Sequence, residues 1–207
     1  PIFIKLMPAF GNTTNSGLVQ SIQDVSFVTN ANAIISATTD APWKGVARYM
    51  GAPMASTPEG GIFCGGFNRH GALKIFGGDT DEDTLCQNQV VDLIGSVVPI
   101  ILDGEITEQA KGMTTKQAIC AIGYKSSNGD KVFFNCGKQD VQGMQGITVA
   151  NILKGMGCTT AVITATAGGG MEYLGSLTSS PDNWQMPKNS AYWVVSKRPF
   201  EGWCNQF

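Results

Sequence analysis

Apolar and polar positions alternate at the start of the chain. Ile2, Ile4 and Leu6 form one run; Val25, Phe27 and Thr29 form another. A period of two marks a half-buried strand. Gly11-Asn12 and Asn30-Ala31-Asn32 punctuate these runs as turns, so residues 1–40 read as strands and loops. Ile2 to Phe10 reads equally as an arm packing on a neighbour. Three prolines, Pro42, Pro53 and Pro58, then suggest loop. A strand follows at Gly61 to Cys64, a turn at Asn68-Arg69-His70-Gly71, and a strand at Ala72 to Phe76.

The period then changes. Cys86, Val90, Leu93, Ile94 and Val97 recur at helical spacing, which predicts a helix from Asp83 to Val97 with Asp83 or Thr84 as its N-cap. Val97 to Leu102 reads as a buried strand closed by the turn pair Asp103-Gly104. Gln117 to Tyr124 and Lys131 to Asn135 read as strands joined through Asn128-Gly129, the strongest hairpin signal in the chain. Val149, Ile152, Leu153 and Met156 share one helical face, with Thr148 as N-cap and Gly155 or Gly157 as the stop. Ala161 to Thr166 and Ala191 to Ser196 are the last strands.

Length and composition bound the function. At 207 residues one domain is the expectation. Charged residues are 14 % of the chain, against roughly 25 % in an ordinary soluble domain. Such a Gly/Thr/Asn-rich, weakly charged chain leans towards an extracellular or particle-borne protein, or one largely covered by neighbours. Net charge is -2 and no basic run exists, which sets nucleic-acid binding aside. No apolar stretch approaches the ~20 residues of a membrane helix. The N-terminus does not read as a signal peptide, because Pro8 breaks a short apolar core. Synthesis in a cytosol without an export signal is the expectation.

Cysteine spacing shows no metal motif. Cys64, Cys86, Cys120, Cys136 and Cys158 read as buried free thiols, and Cys204 in the tail stands apart. His70, the only histidine, reads as a turn residue. Asp79-Thr80-Asp81-Glu82-Asp83 lacks the glycine and the distal acid of a calcium loop and reads as a helix N-terminus. No metal and no cofactor are expected.

One constellation points to a family. Its pieces are Cys64-Gly65-Gly66-Phe67-Asn68; Val98-Pro99-Ile100-Ile101-Leu102-Asp103-Gly104; Ala121-Ile122-Gly123-Tyr124 with Asn128-Gly129; and Gly146 through Gly168-Gly169-Gly170. In this order they resemble the phosphodiester glycosidase family, which removes a sugar from a sugar-phosphate diester and has related domains in bacteria and phages. The resemblance covers about residues 60–196. It implies an α+β fold, with a mixed, largely antiparallel sheet and a few packed helices in a single domain. Residues 1–40 would precede that domain as N-terminal strands or arm, the domain would run over 41–197, and 198–207 would be an aromatic tail.

The departures from the family pattern matter more. The family has Asn where Cys64 stands, Arg where Ile119 stands, Asn-Leu-Asp where Ala165-Thr166-Ala167 stands, and Ser where Met171 stands. Cleavage of a glycosidic phosphodiester needs a carboxyl group and donors for the phosphate. The residues Cys64, Gly65, Gly66, Ile119, Ala167, Gly168, Gly169 and Gly170 therefore read as a degenerate site with no catalytic group. Were the chain an enzyme, Glu172 is the first candidate acid, with Asp103 or Glu105 second.

The expected function is a catalytically inactive glycosidase-like domain serving as a structural or interaction protein. The expected setting is an oligomeric particle such as a phage virion or tail, with other protein subunits as partners. Phe200, Trp203 and Phe207 are the expected docking residues of the tail, since aromatic side chains dominate interface energetics. The alternatives are a glycan-processing hydrolase with a rewired site, and a carbohydrate-binding module using tryptophans such as Trp184.

Overall fold

Turn chemistry sets the framework. In the computed structural model, Asp103 and Gly104 have φ of 48° and 81°, and they join Val98–Leu102 (β10) to Glu105–Ile106 (β11) with Leu102 opposite Glu105. Positive φ at both central residues is the two-residue turn whose twist matches paired strands. Met50 and Gly51, at 52° and 80°, do the same between Arg48–Tyr49 (β4) and Ala52–Pro53 (β5). The Asn128-Gly129 hairpin joins Ile119–Tyr124 (β12) to Lys131–Cys136 (β13) through a longer loop. Gly129, at φ 77°, donates its N–H to the Lys125 carbonyl at 2.8 Å.

The structure describes residues 3–8, 25–32, 43–54, 56–57, 62–136, 143–166 and 191–196. Gly168–Gly170, Ala167, Met171, Glu172, Trp184, Phe200, Trp203, Cys204 and Phe207 lie outside them.

Two five-stranded sheets carry the fold. The first runs β5, β4, Val90–Gly95 (β9), Phe63–Asn68 (β7), Leu73–Gly77 (β8). The second runs β11, β10, Thr160–Ala165 (β14), β12, β13. A three-stranded sheet places Ala191–Ser196 (β15) between Phe3–Pro8 (β1) and Val25–Asn32 (β2). Pairing is antiparallel in all three. Trp43–Lys44 (β3) and Ser56–Thr57 (β6) form a short parallel pair. The first strand, read as strand or arm, is thus paired within its own chain.

Apolar packing fills both faces of the large sheets. Phe67, Ile94 and Val97 meet Ile122, Val162 and Trp193 between them. Beyond the first sheet, Cys64, Val90 and Leu93 pack under Leu85 of helix Glu82–Gln87 (α1). Beyond the second, Ile101, Ile119, Ala121 and Ile163 pack under Ala110 of helix Glu108–Gly112 (α2) and under Val149, Ala150 and Leu153 of helix Gly146–Gly155 (α3). The result is the mixed, largely antiparallel α+β fold with few helices.

Three expectations are corrected. The helix expected over Asp83 to Val97 stops at Gln87, and Val90–Gly95 is a strand. Gln89 takes a left-handed φ of 55° and turns the chain, and the β-branched run after it is buried on both faces, which erases a period of two. The N-cap of α1 is Asp81, whose carboxylate accepts the Thr84 N–H at 2.7 Å. In α3 the N-cap is Gln145 rather than Thr148, and the buried stripe takes Ala150 in place of Met156, which is exposed. Finally, Cys64, Cys120 and Cys158 are buried as expected, but Cys136 is half-buried and Cys86 is exposed. Cys86 lies on α1, with its Sγ 3.5 Å from Arg48 Nη2.

Candidate functional site

Cys64 is the second residue of β7, opposite Gly95 on one side and Phe76 on the other. Its side chain is fully buried on the α1 side of the sheet. The thiol points at the Gly77 carbonyl, 3.4 Å away. Burial, with a smaller push from the Asp79 charge, raises its pKa to about 11. This is a protonated packing thiol, the opposite of a nucleophile activated by nearby positive charge.

The two glycines after it meet different contacts. A Cβ on Gly66 would run into the Asp92 carbonyl and stand 2.7 Å from Leu93 Cα. On Gly65 it would stand 3.2 Å from Val97 Cγ2, on the side facing the second sheet. Close approach of β9 thus accounts for Gly66, while at Gly65 it is the Val97 side chain that crowds a Cβ.

Ile119 starts β12 and is fully buried in the cluster under α2 and α3. Cys64 belongs to the cluster under α1. The two side chains occupy outer faces of different sheets and do not meet. What the fold does bring together is Ile119 and the exit of β14. Cys120 pairs with Ala165, so the chain leaves towards Gly168–Gly170 at the Ile119 end of the second sheet. Thr164, buried beside it, donates its hydroxyl to the Cys120 carbonyl at 3.3 Å. Ala167, the glycines and Glu172 follow outside the described residues.

Asp103 stands at the other end of that sheet. Gly104 donates to the Thr159 carbonyl at 2.8 Å, just before β14 begins. The six residues of β14 separate the Asp103 turn from Thr166, a span of roughly 17–20 Å at ~3.3 Å per residue. Glu105, the other second-rank acid, pairs with Lys154 of α3 at 3.2 Å.

The remaining polar candidates are structural. His70 Nε2 lies 3.0 Å from Gln89 Oε1 in an exposed turn. In the acidic run, Asp81 caps α1, and hydrogen bonds from Thr84 hold its carboxyl below the usual range. Among the described residues no group of three or more His, Cys, Asp or Glu is placed to hold a metal ion, and no helix is long and apolar enough to cross a membrane.

Sequence reasoning missed two buried charges. Asp92 is the only buried carboxylate among the described residues, and Oδ1 accepts the Met50 N–H at 2.9 Å. It stabilises a turn with positive φ at a non-glycine residue. Burial and the Asp92 charge together raise the pKa of Tyr49 beside it. Arg48, also buried, donates to the Val90 carbonyl at 3.1 Å and pairs with Glu82 at 2.7 Å. Neither could be singled out from sequence, because an acid inside an apolar run and an Arg after Gly-Val-Ala carry no spacing signal.

No family model and no curated protein matches the chain. Solved structures do match. The catalytic domain of zebrafish N-acetylglucosamine-1-phosphodiester alpha-N-acetylglucosaminidase, auto-inhibited by its pro-peptide, superposes with a TM-score of 0.71 at 21 % identity. The match covers 94 % of this chain and 73 % of that one. A hypothetical protein from Synechocystis superposes with a TM-score of 0.56 at 10 % identity, over 95 % of this chain and 57 % of that one. The chain has a phosphodiester-glycosidase-like fold.

Proposed function

We propose that this chain is a phosphodiester-glycosidase-like scaffold that does not cleave sugar phosphodiesters and acts as a structural or interaction protein. One observation carries the reading. Two of the positions where the family resemblance calls for polar side chains, Cys64 and Ile119, are sealed into separate apolar clusters. Neither offers a donor to a phosphate. Asp103, the described carboxylate considered as a second-rank acid, stands a strand's length from Thr166, just past the end of β14. Loss of one catalytic partner typically removes several orders of magnitude in rate.

The setting we propose is an oligomeric particle, a phage virion or tail, in which Phe200, Trp203 and Phe207 anchor the chain to other subunits. Low charge content and the aromatic C-terminal segment support it. Hydrolysis of a synthetic sugar phosphodiester by the purified chain tests the scaffold reading. The expected result is no release above the uncatalysed rate. Turnover that disappears in Glu172→Gln would overturn it. Deletion of residues 198–207 tests the anchor, and normal assembly of the truncated chain would remove that part of the proposal.

A further inference from the structure

The Asn128-Gly129 hairpin and β1 enclose a cleft that none of the residues above uses. Its volume is about 440 Å³, within the range of small-molecule sites. Ile4, Val132 and Phe133 supply apolar surface, while Lys125, Asp130 and Lys131 supply charge. The cleft lies at the Tyr124 end of β12, where Tyr124 pairs with Lys131. Ile119 and the exit towards the glycine loop mark the opposite end of that strand.

Lys131 is held in place. Its ammonium lies 5.9 Å from the centroid of the Tyr124 ring, a cation–π arrangement. It also stands 3.0 Å from where a Cβ on Gly71 would be, in the turn between β7 and β8. Burial lowers its pKa even though Asp130 favours the charged form. Among the described residues, Lys125 and Lys131 take part in no ion pair. A half-buried ammonium without an ion partner bears a desolvation cost that a bound anion offsets.

Asp130 is fixed as well. Asn128 Nδ2 donates to Asp130 Oδ2 at 2.7 Å, and the Asp130 N–H donates to Asn128 Oδ1 at 3.0 Å. Asp130 Oδ1 remains an acceptor. Two ammonium groups outnumber the one carboxylate, which suits an anionic ligand. An aliphatic anion would set hydrocarbon against Asp130. A neutral sugar would leave the lysines uncompensated. A sugar ring with one anionic substituent satisfies every part: its C–H face lies on Ile4 and Phe133, a hydroxyl donates to Asp130, and the anion meets the lysines.

We propose that this cleft binds a sugar bearing one anionic group, a carboxylate or a phosphate ester, at the end of β12 opposite Ile119. The proposal does not depend on the absence of catalysis. The test is calorimetric titration of the full chain with D-glucuronate, a glucose phosphate monoester, D-glucose and sodium acetate. The two anionic sugars should saturate, and whichever binds tighter identifies the substituent. Glucose and acetate should each bind at least about tenfold more weakly. Lys131→Met and Lys125→Met should each weaken the anionic sugars about tenfold or more, and Lys154→Met on α3 should not. If Lys131→Met fails to fold, Lys125→Met decides the outcome. Equal binding of glucose or acetate, no saturation by either anionic sugar, or unchanged affinity in the folded lysine variants would overturn the proposal.

Discussion

Phe67 and Trp193 meet edge to face, with ring centroids 5.2 Å apart and planes at 86°. Phe67 belongs to β7 of the first large sheet, and Trp193 is the central-strand residue of the three-stranded sheet. Ile122 and Val162 bring the second large sheet to the same cluster. One indole therefore touches a core to which all three sheets contribute. Trp193→Ala should cost about 3–5 kcal/mol, the range for emptying a large aromatic site. Trp193→Phe should cost distinctly less. It keeps a ring against Phe67 and removes an indole N–H that is buried with no partner among the described residues. Urea unfolding of the three proteins measures both, and a near-neutral alanine variant would show that the sheets do not depend on this contact.

Arg48 fastens α1 to the first sheet. Its guanidinium reaches the Val90 carbonyl, the Gly51 carbonyl and Glu82. The Arg48 side chain is 6 % exposed and that of Glu82 is 44 % exposed. Solvent therefore screens Glu82 but not Arg48. Glu82→Gln should lower stability by less than about 1 kcal/mol. Arg48→Ala should cost about 3 kcal/mol or more, because it strips the buried Val90 carbonyl and the part-buried Gly51 carbonyl of a charged donor and leaves a void. Equal losses in the two variants, read from denaturation midpoints, would mean that the ion pair rather than the carbonyl contacts holds the helix.

The parts of the fold legible in sequence are those with local causes. Asp103-Gly104 and Asn128-Gly129 announce turns through residues that tolerate positive φ, and Gly104 and Gly129 adopt it. The strand from Val97 to Leu102 and the helix around Val149 follow from apolar patterning. The strand Val90–Gly95 was not legible, since burial of both faces leaves apolar spacing that satisfies a helix equally well. Site geometry was illegible for a different reason. Cys64 and Ile119 lie near the start of comparable strands, but which face each presents depends on the sheet it joins and on the helix that covers it.

Gly66 and Gly123 separate two kinds of glycine requirement. A Cβ on Gly66 meets backbone of β9, which cannot yield without breaking the pairing. A Cβ on Gly123 meets Cys158 Sγ at 2.6 Å and Leu153 Cδ2 at 3.4 Å, both side-chain atoms. Gly66→Ala should abolish soluble folded protein. Gly123→Ala should fold with a loss of about 1–3 kcal/mol, the usual range for overpacking, and Cys158→Ala should recover part of it. Chemical denaturation and soluble yield report on both. A stable Gly66→Ala protein would show that β7 and β9 are less closely apposed and would reopen the case for a ligand at this glycine pair.

Cys64 makes the inert-site reading testable through pH. Its pKa in the folded chain is about 11, against an ordinary value of about 9. As pH rises past about 9, the unfolded thiol releases its proton first, which favours the unfolded state. The stability contributed by Cys64 is therefore complete below about pH 9 and is lost as pH climbs through about 11. The advantage of the native protein over Cys64→Ala should shrink across that window, and a constant difference would contradict the raised pKa. Thiol labelling at neutral pH, mapped residue by residue, should modify exposed Cys86 quickly and Cys64 only on unfolding. Introducing the residue implied by the family resemblance, through Cys64→Asn, should not produce sugar-phosphodiester hydrolysis. It should instead cost about 1–3 kcal/mol, because the amide lands among Leu85, Val90 and Leu93 with too few partners. A Cys64→Asn protein as stable as the native one would mean that this cluster can accommodate a polar group after all, and the scaffold reading would lose its main support.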